Sequence, residues 1–480
     1  MQEVLNFIDG RHAPAASGEW VDDVDPATGE TYARIASSDG RDVDRAVAAA
    51  VRAFPGWSAT PAAERSKLLR RLARLIERDQ EALARAESVD SGKPLSAART
   101  VDVPRAVQNF DFFADAVTQF ASEAHPTDEV ALNYTLRQPL GPVACISPWN
   151  LPLYLLTWKI APALAAGNCV VAKPSEVTPM TSHLLGALCA EAGFRPGVVS
   201  FVQGLGPRAG APLCAHPEIR AVSFTGSTRV GAEIARESAA SFKKVSLEMG
   251  GKNPTVIFAD ADLREAIPQT VRAAFSNTGQ ICLCGSRILI EKSVYGQVRD
   301  ELVARVRALR VGDPLEPATE QGALVSRQHF DKVMGCLRVA REEGARVLCG
   351  GDRATVNGRC SGGFFVQPTL LEGLGPACRT NQEEIFGPVA TLLPFEDAEE
   401  AVRLANSTRY GLAASLWTRD LSRAHRVSAQ LQSGIVWVNC WMLRDLRTPF
   451  GGVKESGVGR EGGMDALRFF TEPKNVCVKL

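Results

Sequence analysis

Neither sign of charge dominates this sequence, no unbroken apolar run is long enough to cross a bilayer, and neither repeats nor low-complexity segments divide it. Lys and Arg together number 54, as do Asp and Glu, so the formal net charge is zero. Such a chain has no long-range field to collect nucleic acid or an anionic membrane surface, and neither is expected as a partner. The opening residues, Met1 to Gly10, lack the basic segment and apolar run of a signal peptide. The longest apolar candidate, residues 150–167, is interrupted by Pro152, Lys159 and Pro162. A soluble, cytoplasmic protein is the expectation.

Metal and disulfide chemistry are equally unsupported. The six histidines are dispersed, and Cys282 and Cys284 have no second Cys or His pair at ligand spacing, so no metal site is expected. The twelve cysteines are scattered, not set in a dense framework, and most, such as Cys145 and Cys169, read as small buried hydrophobes.

What is present is enough apolar sequence for more than one core: 45% of 480 residues. Residues 42–91 have helical periodicity, with Thr60-Pro61 as a cap and first-turn pair. Val103, Val107, Phe110 and Phe113 mark another amphipathic helix. From Gly141 the pattern changes to short apolar runs, at residues 143–146, 169–172, 199–202 and 221–224, alternating with helical stretches. That is the pattern of a doubly wound parallel sheet, and a second βα series follows Pro254. An α/β architecture with two units meeting near residue 250 is expected.

Several residues carry recognisable chemistry. Cys282, two positions after Gly279-Gln280, suits a nucleophilic thiolate held in an ordered loop. Phe224-Thr-Gly226-Ser227-Thr-Arg-Val-Gly231 carries a strand into a helix through small and hydroxyl residues, which suits a pyrophosphate and equally suits an ordinary βα turn. Lys173 and Glu176 follow a strand end. There Glu176 can accept both hydroxyls of an adenosine ribose and repel a 2′-phosphate, favouring NAD over NADP; a surface ion pair is the alternative. Glu248, beside two glycines at the junction of the units, suits a general base or an ion pair with Lys252. Asn150, just past a strand, offers an uncharged donor for an oxyanion, or a turn.

In their order these motifs resemble the NAD(P)-dependent aldehyde dehydrogenases along essentially the whole chain. The resemblance rests on Pro148-Trp-Asn150, Lys173-Pro-Ser-Glu176, Phe224-Thr-Gly-Ser-Thr228, Leu247-Glu-Met-Gly-Gly-Lys252, Gly279-Gln-Ile-Cys282, Glu384-Ile-Phe-Gly-Pro-Val389 and Pro449-Phe-Gly-Gly-Val-Lys-Glu-Ser-Gly457. It implies the aldehyde dehydrogenase fold, with two doubly wound α/β domains and a small β oligomerisation arm. Residues 1–120 and 139–250 would form the NAD-binding domain, residues 251–435 the catalytic domain, and residues 121–138 and 465–480 the arm of a dimer or tetramer. It makes Cys282 the nucleophile, Glu248 the base and Asn150 the oxyanion donor. Trp149, Lys173, Glu176, Gly226, Ser227, Gly231, Glu384 and Phe386 would hold NAD. Cys284 and Arg447 receive no role.

Arg444, five residues before the Pro449 motif, and Arg105, on the helix whose matching position lines the substrate channel, suggest a substrate with a remote carboxylate. With Trp158 they would bind that substrate. Residues 150–160 and 438–444 look most like the 2-aminomuconate and 2-hydroxymuconate 6-semialdehyde dehydrogenases. The expected reaction is oxidation of such a semialdehyde to the dicarboxylic acid through a cysteine thioester. Alternatives are a saturated acid aldehyde such as succinate semialdehyde, a CoA-acylating relative, or a non-catalytic NAD-binding structural protein.

Overall fold

The computed structural model describes all 480 residues. Two open sheets, joined by residues 249–253, set the architecture. The first has eight strands, with a parallel centre in the spatial order Lys244–Glu248, Ala221–Thr225, Pro142–Ile146, Cys169–Lys173, Val199–Phe201. The antiparallel strands Gly457–Val458 and Asn6–Ile8 flank that centre, and Arg11–Ala13 closes the sheet beyond Asn6–Ile8.

Starting from Pro142–Ile146, the chain moves outward through Cys169–Lys173 and Val199–Phe201. It then crosses back to add Ala221–Thr225 and Lys244–Glu248 on the other side. The winding reverses between Pro142–Ile146 and Ala221–Thr225, so the carboxyl ends of those two strands diverge and leave a crevice. Ser147–Asn150 and Gly226–Ser227 lie just past those ends. The central strands are buried on both faces because helices cover both. The largest apolar cluster, of 60 buried residues, joins this sheet to its helices, including Gly40–Ser58, Ala62–Arg78, Val103–Ala116, Pro152–Ala165 and Met180–Ala192.

The second sheet has seven strands in the order Arg346–Cys349, Thr369–Glu372, Val389–Phe395, Arg287–Glu291, Pro254–Ile257, Ala413–Trp417, Ile435–Val438; only the first runs antiparallel to its neighbour. Separate apolar clusters fill its two faces, one under helices Leu263–Phe275 and Tyr295–Arg307, the other under Ala398–Ala405 and Leu421–Gln430. A third sheet stands apart. Thr471–Lys479 pairs with Ala131–Pro139 over its whole length, and Ala124–Thr127 forms the fully exposed outer strand.

Two local expectations change. Residues 42–91 form three helices, Gly40–Ser58, Ala62–Arg78 and Gln80–Ser91. Thr60 does not cap the second: its hydroxyl donates to Gly56 O of the first, at 2.9 Å, and Pro61 takes the cap position with no side-chain bond. The last residues of the chain are not all strand either, since Gly463–Phe469 is a helix.

Arg287 shows how the second sheet is fastened to its surroundings. Its side chain is 1% exposed and meets no carboxylate. Nε donates to Lys252 O at 2.9 Å, Nη1 to Leu404 O at 2.8 Å and Nη2 to Ala405 O at 2.7 Å. Leu404 and Ala405 end a helix, where unpaired carbonyls and the helix dipole favour a cation. Burial nevertheless lowers the guanidinium to about 10. Arg287→Leu strands several buried carbonyls, and a loss of about 3 kcal/mol or more is expected in urea unfolding; a loss below about 1 kcal/mol would show that these bonds contribute little.

Candidate active site

The loop that carries Cys282 lies between helix Leu263–Phe275 and strand Arg287–Glu291, facing the first sheet. Its backbone is strained before it reaches Cys282: Asn277, Thr278 and Gly279 have φ of 51°, 55° and 71°. Positive φ is unfavourable for any residue with a Cβ and most so for a β-branched one, so neighbouring contacts must impose it at Thr278. At Gly279 only glycine fits, since a Cβ would collide with Gly387 O.

Those contacts come from both sheets. Asn150 is 3% exposed and donates through Nδ2 to Gln280 O at 2.9 Å. Asn277 Nδ2 donates back to Asn150 O at 3.0 Å, and Gln280 Oε1 accepts from Val325 N at 3.1 Å. On the far side, Asn253 Nδ2 donates to Cys282 O at 2.7 Å and Cys284 O at 3.0 Å, while its Oδ1 accepts from Ala413 N at 3.0 Å. The Cys282 backbone N–H has no protein acceptor, and one N–H of the Asn150 amide is likewise uncommitted.

Cys282, Glu248 and Arg444 line one small cavity, together with apolar side chains such as Leu151, Ile281 and Phe450. Glu248, the last residue of its strand, is 3% exposed and neither carboxylate oxygen has a hydrogen-bond partner. No ion pair with Lys252 forms, since Lys252 Nζ is also unpartnered. Burial, reinforced by the charge of Glu461, raises Glu248 well above the usual carboxylate range. Glu461 also lines the cavity and is bound by the buried Lys159 at 2.6 Å. Burial raises the Cys282 thiol too, with Glu384 and Glu248 adding to the effect and Arg444 opposing it. Cys284 is buried, and its sulfur faces Ser276 O at 3.9 Å.

The arginines occupy different places. Arg444 makes no salt bridge: Nη1 donates to Tyr154 Oη at 2.8 Å, and the guanidinium lies 4.2 Å from the Phe450 ring centroid and 5.4 Å from that of Trp158. Trp158 is buried behind Arg444 and does not line the cavity. Arg105 is one ring further out, 5.3 Å over Tyr154 and bonded to Gln108 at 3.2 Å. Arg447 pairs with Asp445 at 2.6 Å, away from the cavity. A larger hollow of about 570 Å³ adjoins the cavity across Leu151 and Ile281, with Arg272 on its wall.

The expected dinucleotide residues gather on the crevice side. Ser227 caps helix Thr228–Ala239 by accepting from Val230 N at 3.4 Å. Gly226 N donates to Glu248 O at 3.0 Å, and a Cβ on Gly231 would collide with Met249 Sδ, so glycine lets this helix lie against the link between the sheets. Lys173 Nζ binds Glu176 at 2.5 Å. Although partial burial opposes it, that ammonium holds Glu176 below its ordinary value, so the carboxylate is charged at neutral pH. Glu384 rests on Gly250 and Gly251: Gly251 N donates to it at 3.0 Å, and a Cβ on Gly250 would overlap its carboxylate. Trp149 and Phe386 meet edge to face at 5.2 Å.

Sequence reading missed His329, which completes this aromatic group. It is 4.9 Å from Trp149, its Nε2 lies 2.7 Å from Phe386 O, and burial lowers it to about 4. No local pattern marks it. Lys159 did carry a signal, as the single charge in the otherwise uncharged helix Pro152–Ala165, which implies a buried partner.

A family model described as "Aldehyde dehydrogenase family" matches residues 12–476. The chain is 50% identical to a 2-aminomuconic semialdehyde dehydrogenase of Danio rerio, over 99% of this chain and 98% of that protein. It is 47% identical to a 2-hydroxymuconic semialdehyde dehydrogenase of a Pseudomonas species, over the whole of both. The NAD+ complex of an aldehyde dehydrogenase from Bacillus cereus superposes with a TM-score of 0.97 at 40% identity, covering 100% of this chain and 97% of that one. A full-length α/β match, with a cysteine and a buried carboxylate sharing one cavity at the sheet junction, leaves one assignment: the chain belongs to the aldehyde dehydrogenase family.

Proposed function

We propose that this protein is an NAD-dependent dehydrogenase of carboxylate-bearing semialdehydes, with 2-aminomuconate 6-semialdehyde and its 2-hydroxy analogue as substrates. The observation that carries the reading is Arg444: a guanidinium with no acidic partner, held by aromatic rings and a phenol in the cavity of Cys282. An arginine stabilised this way keeps its charge available for a planar anion. Similarity to relatives named for the two muconic semialdehydes supports the same choice.

The residues at the crevice fit NAD. Gly226, Ser227 and Gly231 shape a helix start for the pyrophosphate, and the charged Glu176, with Lys173, suits ribose hydroxyls and opposes a 2′-phosphate. Glu384 is the carboxylate for the nicotinamide ribose, beside the ring edges of Trp149 and Phe386. When bound, NAD supplies the hydride acceptor. Domain roles follow: residues 1–120 and 139–250 hold the cofactor, and residues 251–435 carry the nucleophile. The exposed strands within residues 121–138 and 465–480, of which Thr471–Lys479 is the C-terminal one, join copies into a dimer or tetramer in the cytoplasm.

The chain's own groups account for the rest. The Cys282 thiol, raised by burial, releases its proton to solvent; its sulfur adds to the aldehyde carbon, and the carbonyl oxygen takes up the negative charge. The uncommitted N–H of Asn150 and the backbone N–H of Cys282 stabilise that oxygen. Loss of hydride leaves a thioester on Cys282. Glu248 then removes a proton from water as its oxygen attacks the acyl carbon; the C–S bond breaks, sulfur takes back a proton, and the acid departs. Burial raises this unpartnered carboxylate and so makes its ionised form a stronger base for that step.

Two experiments test this. Glu248 acts as its ionised form, and its pKa is raised, so turnover should climb as pH rises through that value. Glu248→Gln should lose this dependence, cut steady-state turnover about 100-fold or more, and still release a burst of one NADH per site. A variant without a burst, or one with the parent's pH profile, would remove Glu248 from hydrolysis. In the second test, Arg444→Ala should raise KM for 2-aminomuconate semialdehyde about 10- to 100-fold while sparing a small neutral aldehyde. Arg105→Ala, acting across the Tyr154 ring, should give a smaller rise. Equal losses on both aldehydes, or faster turnover of succinate semialdehyde by the parent enzyme, would overturn the substrate choice.

A further inference from the structure

A buried charge cluster lies directly behind Asn150 and is not used by the steps above. Lys93, 1% exposed, follows helix Gln80–Ser91. Its ammonium lies 2.7 Å from Asp102 Oδ2, 3.6 Å from Glu87 Oε1 and 3.1 Å from Asn150 O. Glu87 and Asp102 are as buried as Lys93. Glu87 also accepts from Leu153 N, at 3.3 Å and 3.4 Å, in the first turn of helix Pro152–Ala165. The cluster therefore grips residues 150–153 at two points, by the carbonyl of Asn150 and the N–H of Leu153.

Such a cluster is a costly way to stabilise a fold. Three buried ionisable groups incur a large desolvation penalty, and apolar residues of similar volume commonly do as well or better. Burial raises both Glu87 and Asp102, and the ammonium of Lys93 opposes that rise in each. What it supplies is direction. The Asn150 carbonyl receives one bond from Lys93 in its own half of the molecule and one from Asn277 in the nucleophile loop. With the peptide held from both sides, the side-chain amide donates to Gln280 O, and its second N–H stays uncommitted.

We infer that Lys93, braced by Asp102 and Glu87, is the positioning residue that fixes the Asn150 amide for the oxyanion. The inference rests on Asn150 being the oxyanion donor, and the experiment separates the two. Lys93→Met, Asn150→Ala and the double variant form a cycle in which kcat, KM for the semialdehyde and the rate of Cys282 alkylation by iodoacetamide are measured. Alkylation is a displacement at saturated carbon and develops no oxyanion, so a defect confined to oxyanion positioning leaves it unmoved.

Lys93→Met should lower kcat about 10- to 100-fold with little change in KM. Alkylation should stay within about twofold of the parent, and the double variant should be no slower than Asn150→Ala alone. Multiplying losses, or alkylation falling in step with kcat, would overturn the role of Lys93. Parental kcat in Asn150→Ala would instead remove the oxyanion reading itself. Should Lys93→Met not fold because it leaves two carboxylates unbalanced, Lys93→Met with Asp102→Asn removes one charge of each sign and enters the same cycle with the same outcomes.

Discussion

The active centre depends on an exchange of hydrogen bonds between amides carried by different sheets. Asn150, at the end of a first-sheet strand, donates to Gln280 O; Asn277, in the loop before a second-sheet strand, donates to Asn150 O. Each bond is worth only about 1 kcal/mol in stability. Their larger effect is geometric, because they tie the two halves together beside Cys282. The left-handed backbone at Asn277 and Thr278 is tolerable because those bonds, and the fit of Gly279 against Gly387, leave the loop no relaxed alternative. The strain thus lies next to Cys282 and is balanced by contacts across the cleft.

The same buried junction shapes the carboxylate Glu248. Glu248 is raised because it is buried among closely packed glycines: a Cβ on Gly451 would crowd Oε1, and neither oxygen has a well-formed hydrogen bond. Glu461 stands nearby but is neutralised by Lys159, so its repulsion is tempered. The C-terminal segment seals this arrangement. Ser456 Oγ donates to Gly250 O at 2.7 Å and accepts from Gly411 N at 3.0 Å, binding the link between the sheets from outside.

Much of this was legible in the sequence, for uneven reasons. The parallel strands were visible because strands buried on both faces must be continuous apolar runs, and Pro142–Ile146 and Cys169–Lys173 are. Lys244–Glu248 was not, since Lys244, Ser246 and Glu248 interrupt its apolar residues and its start is half-buried near the sheet edge. Cys282, Glu248 and Asn150 stood out by residue type and by their place after glycines or strand ends. Their geometry did not, because it is made by pairings across more than a hundred residues, such as Asn150 with Gln280. Lys93 was invisible for the same reason: in Asp90-Ser-Gly-Lys-Pro94 it reads as a turn lysine until the fold brings Asp102 and Asn150 to it. Local patterns report an element's exposure, whereas a buried charge is explained only by partners that are remote in the chain.

Substrate choice also follows from how a charge is held. Arg105 and Arg444 look equivalent as sequence, both arginines near a channel. In the fold only Arg444 enters the cavity of Cys282, and it does so with Phe450 and Trp158 as neighbours where an acid would normally stand. Aromatic faces stabilise a guanidinium by about 0.5–2 kcal/mol without occupying its donor fork. An aspartate in the same place would bind it more firmly and leave nothing for a ligand. The site therefore keeps a positive charge poised and unspent, and it lets that charge oppose the carboxylates that raise the Cys282 thiol. In the proposed reaction a substrate carboxylate pairs with Arg444 while the aldehyde meets Cys282, so recognition and reaction share one cavity.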